Sequence, residues 1–406
     1  MQVNFNLNEF ISTYVTKRKE SLFENDLLKN KIELKDRILN KSVLVIGGAG
    51  TIGSNYIKAL LKFNPKKLIV IDINENGLTE LVRDLRSSSD YNIPNVFITY
   101  PVNFGDSSFE KIFKYHGPFE IVANFAAHKH VRSEKDIFSI QAMIENNVLK
   151  ADKLLKLLIK YPPKHFFCVS TDKAANPVNI MGASKKLMEE LIMTYSSKIN
   201  ISTARFANVA FSNGSLPLGF LNRFNKKQPL SCPLGIKRFF VSPKESGQLC
   251  LMASVLGESG DIFFPKLDVK KDMIPFDDIV KNLLNYLDLK IDICSSEIEA
   301  IQKANILSDD SNTYPVYFFK SNTSGEKTFE EFYTESEDLD LNKFGALGII
   351  KNSVKKDLKE IDVILNDLQN IFLNKEFSKS DIVKILKSYL PNFEHIETGR
   401  HLDQKM

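Results

Sequence analysis

The stretch "SVLVIGGAGTIGSNYIKALL", Ser42 to Leu61, joins a short β-branched apolar run to a helical pattern through three glycines. "SVLVI" reads as a strand, and Ile57, Leu60 and Leu61 fall on one face of the helix that follows. Gly47, Gly50 and Gly53 recur at three-residue spacing. The first permits a tight turn, the second lets backbone approach a pyrophosphate, and the third lets helix and strand pack closely. A helix N-terminus at that point offers unpaired N–H groups and a positive dipole to phosphates. Thr51 and Ile52, inside the loop, join the glycines as expected cofactor contacts. Asp72 ends the next apolar run, "KLIVID", about 20 residues further on, as a dinucleotide site requires. A carboxylate there accepts hydrogen bonds from ribose hydroxyls and repels a 2′-phosphate. Ile73 and Asn74 bring no arginine to reverse that, so NAD is expected over NADP.

Outward from this unit, strand-like and helix-like patterns alternate. "GLTELVRDLR" (Gly77–Arg86) reads as a helix, and "NVFITY", "EIVANFAA", "KHFFCVS" and "NISTARF" read as strands. Near-continuous apolar strands between helices argue for a parallel sheet covered on both faces. The expected fold is α/β: a Rossmann-type doubly wound parallel sheet with a smaller C-terminal substrate-binding lobe. The divisions read as a helical lead-in over 1–40, the NAD-binding domain over 41–212, a mainly substrate-binding lobe over 213–345 and a helical extension over 346–406. Pro217, Pro229, Pro233 and Pro243 break the chain into short pieces in the third of these; "GDIFFPK" is read as a strand and "PFDDIVKNLLNYL" as a helix.

The 406 residues carry 54 basic and 50 acidic side chains, a formal charge of +4. So small an excess gives no reason to expect nucleic acid as a partner. No apolar run approaches the roughly 20 residues a bilayer span needs, and the N-terminus lacks a signal-peptide pattern. Four cysteines without paired spacing suit reduced thiols. A cytoplasmic protein with soluble substrates is the expectation.

"STDKAANPVNIMGASKKLMEE", Ser170 to Glu190, follows a strand, so Thr171, Asp172 and Lys173 should sit at the carboxyl end of the sheet. An acid and an amine side by side suit proton transfers at neighbouring carbons. The bland alternative is a helix cap plus a surface lysine. Ala126 and Ala127 are small enough for close backbone approach to a cofactor. Lys129 and His130 are candidates for sugar or phosphate, and Arg238 for a diphosphate. His128 and His130 lack a third ligand at metal spacing, so no metal is expected. Asn147 could face the catalytic segment or serve as a buried structural amide.

"GGAGTIGS", "NFAAHKHV", "ENNV", "STDKAANPVNIMGASK", "ARFANV" and "SGEKTFEE" occur in this order. Together they resemble the extended short-chain dehydrogenase/reductases, and more closely the polysaccharide-biosynthesis branch of UDP-N-acetylglucosamine 4,6-dehydratases. The resemblance implies a soluble NAD enzyme and a homo-oligomer. Met181 stands where many members carry tyrosine, which resembles the branch's methionine-bearing subgroup. For that subgroup the resemblance implies Thr171, Asp172 and Lys173 as the acid–base set. It also implies Lys185 at the nicotinamide ribose, Asn103 near adenine and Asn208 at the sugar nucleotide. Ala207, Ser324 and Asn103 depart from the family pattern, which carries glycine, proline and aspartate there. The open alternatives are a 4-epimerase, a dehydratase that also inverts C5, a GDP-sugar substrate, and a catalytically silent NAD-binding regulator.

Overall fold

The computed structural model describes residues 5–308, 310–320, 331–353, 355–374 and 376–396. Six strands come first: β1 (Ser42–Ile46), β2 (Lys67–Asp72), β3 (Val96–Pro101), β4 (Ile121–Asn124), β5 (His165–Val169) and β6 (Ile201–Ala204). They are followed by β7 (Asn208–Val209), β8 (Leu230–Leu234), β9 (Lys237–Val241), β10 (Ile262–Pro265), β11 (Met273–Pro275), β12 (Lys290–Cys294), β13 (Thr313–Lys320), β14 (Asp338–Asp340) and β15 (Leu347–Lys351).

The large sheet has nine strands in the order β14-β15-β10-β6-β5-β4-β1-β2-β3. From β10 to β3 every pairing is parallel; β15 and β14 close the other edge antiparallel. The strand order reverses between β1 and β4, which puts a crevice beyond their carboxyl ends. β4 and β5 are buried along their whole length, as strands covered on both faces must be. Among the described residues, no helix is long and apolar enough to cross a membrane.

Two smaller three-stranded sheets, β11-β9-β7 and β12-β13-β8, lie outside the large one. The chain does not leave the large sheet at one point, as a break at 212 implies. Helix Pro243–Leu256 packs on helix Thr51–Leu61, and β10 pairs with β6, so the span 243–265 belongs to the sheet's own layers. The segment 346–406 is likewise not all helix. Leu347–Lys351 is β15, whose four buried apolar and glycine positions pair with β10. Alternation was hidden there because both faces of the strand are covered. Helices Leu358–Leu373 and Lys379–Tyr389 do follow.

The lead-in is helical and ties the two parts together. Phe10, Ile11 and Val15 enter the small apolar core around Ile279 and Leu283, whereas Phe23, Leu34 and Ile38 enter the main one. Arg18 locks this arrangement by donating from Nε and Nη2 to Glu245, both at 3.0 Å, and from Nη2 to the Phe240 carbonyl at 3.0 Å.

Candidate active site

The glycine loop is built as its spacing requires. Gly47 has φ of 76°, and a Cβ there would meet the Ala126 nitrogen at 2.5 Å. Gly53 packs so close that a Cβ would meet the Gly47 carbonyl at 2.2 Å. Gly50 differs, because its Cβ would touch nothing nearer than the Gly47 oxygen at 3.5 Å. The space beside it is open, and Gly50 caps the Thr51–Leu61 helix without a side-chain acceptor. An anion can therefore reach the helix N-terminus through that opening. Asp72 Oδ2 accepts the Ala49 N–H and Oδ1 the Asn74 N–H, both at 2.9 Å, which orients the carboxylate beside the loop. Asn103 lies two residues past Pro101, the β3 partner of Asp72, and its Oδ1 accepts the Gly105 N–H at 2.9 Å. An open cradle, an uncapped helix and a carboxylate at the next strand end fit a dinucleotide.

Ala126 and Ala127 leave β4 beside Gly47, where Asn124 Oδ1 holds the Ala126 N–H at 3.0 Å. The loop that follows is fastened on two sides. Asn147 accepts the His128 N–H at 2.8 Å and donates to the His128 carbonyl at 2.9 Å and to Ser184 Oγ at 3.1 Å. Asn147 is thus a buried amide that reaches Ser184, within the 170–185 segment. On the other side, Lys129 Nζ donates to the Asn213 carbonyl at 2.9 Å, while the Asn213 N–H donates to Thr51 Oγ1 at 3.0 Å. Gly214, at φ of 73°, lets the His130 ring approach so closely that a Cβ would stand 2.9 Å from it. The phosphate loop, "HKH" and the Asn213–Gly214 turn therefore meet, although 162 residues separate Thr51 from Asn213. Burial depresses the Lys129 amine and the His128 and His130 imidazoles below their usual ranges; Lys150 adds to it at His128, Lys129 and Arg132 at His130.

Thr171, Asp172 and Lys173 sit together just past β5. Three donors converge on Asp172 Oδ1: Thr171 Oγ1 at 2.8 Å, the Lys173 N–H at 2.9 Å and Lys173 Nζ at 3.1 Å. Oδ2 takes none of these. The Asp172 side chain is 5% exposed and that of Lys173 19%. The Asp172 N–H donates to the Phe206 carbonyl at 3.2 Å, anchoring the turn to the chain leaving β6. Lys185, one helical turn beyond Met181, is buried; its Nζ donates to the Val169 carbonyl, the last residue of β5, at 2.7 Å. Burial lowers its basicity, and Cys168 and Glu189 oppose that shift. Met181 is buried in the main core.

Asn208 opens β7 next to β9, and its Nδ2 is buried without a hydrogen bond among the described residues. Arg238 lies two residues before the Phe240 partner of Asn208, is 7% exposed, and donates to the Lys237 carbonyl at 2.8 Å. It is a core arginine rather than a surface one. The segment Ser324–Glu330 lies outside the described residues; Glu331 accepts from Asn176 at 2.8 Å. Among the described residues, no group of three or more His, Cys, Asp or Glu is placed to hold a metal.

Three buried groups escaped the sequence reading. Glu134 accepts the Met181 N–H at 2.9 Å. Glu189 and Arg205 form an ion pair beside the turn after β5, with Ser170 Oγ donating to Glu189 at 2.9 Å. Glu189 falls on helix Ile180–Tyr195, where a helical wheel would have turned it inward with Lys185. Glu134 carried no such signal.

A parallel sheet with a three-glycine turn, an acidic second-strand end and a Thr-Asp-Lys turn packed by a lysine-bearing helix defines an extended short-chain dehydrogenase/reductase. The chain belongs to the polysaccharide biosynthesis protein family, whose profile spans residues 43–352. A protein of Methanocaldococcus jannaschii, described as an uncharacterized membrane protein, is 31% identical over 361 residues, covering 86% of this chain and 97% of its own. A UDP-N-acetylglucosamine 4,6-dehydratase (inverting) of Campylobacter jejuni is 26% identical over 320 residues, 76% of this chain and 89% of its own. A UDP-glucose 4-epimerase of Rickettsia canadensis is 29% identical over 235 residues, 56% of this chain and 67% of its own.

Proposed function

We propose that this chain is an NAD-dependent nucleotide-sugar 4,6-dehydratase, with UDP-N-acetylglucosamine as substrate and a UDP-4-keto-6-deoxy sugar as product. The observation that carries the reading is the Asp172–Lys173 pair, joined at 3.1 Å where the sheet ends. The similarity to a dehydratase over most of both chains supports it. Gly47, Gly50, Gly53, Thr51, Ile52 and Asp72 hold the dinucleotide, with Ala126 and Ala127 against it. Bound there, the nicotinamide supplies the hydride acceptor and donor.

The chain's residues then move protons. An ammonium beside a carboxylate holds the same number of protons as an amine beside a carboxylic acid. One transfer along the Lys173–Asp172 hydrogen bond interconverts them, and exclusion of water by a bound sugar favours the uncharged form. In that form Lys173 takes the C5 proton, acidified by a ketone at C4, and Asp172 gives its proton to the departing C6 hydroxyl. Water leaves, and the proton on Lys173 is available to return to C5. Thr171 relays the proton lost from the C4 hydroxyl to solvent, and Asp172, left as a carboxylate once it has protonated the leaving hydroxyl, takes one back from solvent, so the pair ends with as many protons as it began. Lys185 holds the nicotinamide ribose, and Lys129, His130, Asn208 and Arg238 serve the sugar nucleotide.

A 4-epimerase shares the C4 oxidation but needs no acid–base pair at C5 and C6. Incubation with UDP-N-acetylglucosamine and mass spectrometry of the product separates the two. Product lighter by one water is expected; an unchanged mass with an inverted sugar overturns the proposal. Met181 fills core volume and supplies no proton, so Met181→Leu, a volume-conserving swap, is expected to keep activity within about threefold and to cost under about 1.5 kcal/mol. Complete loss of turnover in a normally folded variant would refute that assignment.

A further inference from the structure

We propose that Glu134 is a positioning residue for the catalytic helix, and that the segment Pro391–Ile396 holds it in place. Glu134 lies in the short helical turn Val131–Lys135 that follows "HKH", and it is 5% exposed. A carboxylate so buried must find partners. Its Oε1 accepts the Met181 N–H at 2.9 Å. That N–H belongs to the first turn of helix Ile180–Tyr195, where backbone donors lack intrahelical acceptors and the dipole favours negative charge. Asn179 is the local cap and accepts the Gly182 N–H at 2.7 Å. Glu134 is therefore a second cap, brought from 47 residues earlier in the chain.

Its other oxygen faces the C-terminal segment. His395 Nε2 lies 3.5 Å from Glu134 Oε2, a close approach without a hydrogen bond, with both side chains under 10% exposed. Next to it the Ile396 N–H donates to the Val178 carbonyl at 3.0 Å, so the segment is pinned across the start of the same helix. Phe393 anchors it in the main core. The turn held from both sides carries no proton donor of its own, because Met181 stands there. What that turn must place is Lys185, one turn on, and Ser184, which Asn147 links to the loop at His128. Glu134 acts through the helix backbone and does not itself meet the substrate.

The kinetic part of this inference rests on the dehydratase reading; the structural part does not. The test compares Glu134→Ala, Glu134→Gln and His395→Ala in the full chain, by amide hydrogen exchange and by steady-state kinetics. In Glu134→Ala, exchange in the peptide covering 180–185 should quicken about tenfold, the size of losing a helix cap, while distant strands keep their rates. Its kcat should fall about tenfold or more with KM for the sugar nucleotide within about twofold, because the helix is misplaced and not the substrate. Glu134→Gln keeps an oxygen for the Met181 N–H and should restore both. His395→Ala should quicken exchange in the same peptide to a lesser degree. The proposal fails if Glu134→Ala leaves that peptide unchanged, if every region quickens alike, if Glu134→Gln is as impaired as the alanine, or if His395→Ala has no effect on it. Should the wild type turn over no nucleotide sugar, the dehydratase reading falls alone, and the exchange comparison still decides on Glu134.

Discussion

Asp172→Asn and Lys173→Ala will each leave a folded protein that still binds NAD, and each will lower dehydration by about 10²- to 10⁴-fold, the usual weight of a positioned acid or base. The asparagine oxygen can still accept from Thr171 Oγ1 and Lys173 Nζ, which now meet at Asp172 Oδ1, so the turn after β5 keeps its shape. It cannot release a proton to a leaving hydroxyl. Alanine at 173 removes the only group proposed to take the C5 proton, and it does not touch the glycine loop or Asp72. Because the two side chains exchange one proton, they act as a unit, and the double variant should be little worse than either single one. A second readout isolates the lysine. In D₂O the wild type should place deuterium at C5 of the product, and residual turnover by Lys173→Ala should do so more slowly. Wild-type dehydration rates in both variants would remove the proposed engine, whatever the fate of NAD.

The glycine loop was legible because its demands are local. A turn at Gly47 and a close approach at Gly53 leave no room for a Cβ, so the residue type itself reports the backbone. Asp72 was legible because a strand of known length must end there. The first six strands of the sheet read correctly for the same reason: each is a short apolar run between helical patterns. The antiparallel edge did not. Asp338–Asp340 is an edge strand of three residues, two of them aspartates, and Leu347–Lys351 has four buried apolar and glycine positions without alternation, which also suit a buried helix. Asn213 and Gly214 carried no signal, since nothing local shows that Thr51 and Lys129 converge on them. Glu134 was opaque because a buried carboxylate is recognised by its partner, and its partner Met181 lies on another element; for Glu189 the helical wheel shows the burial but not the partner Arg205, which lies past β6.

Arg205→Met will cost about 3–5 kcal/mol of stability at neutral pH, because it strands a buried carboxylate. Arg205 is fully buried and has two acid partners. It donates to Glu189 from Nε at 3.0 Å and Nη2 at 2.6 Å, and to Glu337 from Nη1 at 2.8 Å and Nη2 at 2.7 Å. Nη1 also caps the Phe332 carbonyl at 2.9 Å. Burial pushes the Glu189 carboxyl up, but Arg205 and Lys186, with hydrogen bonds from Arg205 and Ser170, prevail and hold it down at about 2. The sign follows from that depression. In the wild type the contribution of Glu189 is complete above the unfolded carboxylate range near 4.5 and is lost as pH falls toward about 2. In Arg205→Met the burial remains while the guanidinium is gone and only Lys186 and Ser170 still oppose it, so the Glu189 carboxyl is held down far less and its protonation relieves the variant as pH falls. The deficit relative to wild type should thus be greatest near pH 7 and shrink toward pH 4, read by urea unfolding across that range. Glu189→Leu added to Arg205→Met should recover part of the loss, since two uncharged side chains leave no stranded carboxylate at this position. A deficit that stays constant with pH would show that Arg205 matters for packing alone. The same network reaches the site through Ser170, one residue before Thr171, so Arg205→Met should also slow turnover by more than its loss of folded protein explains.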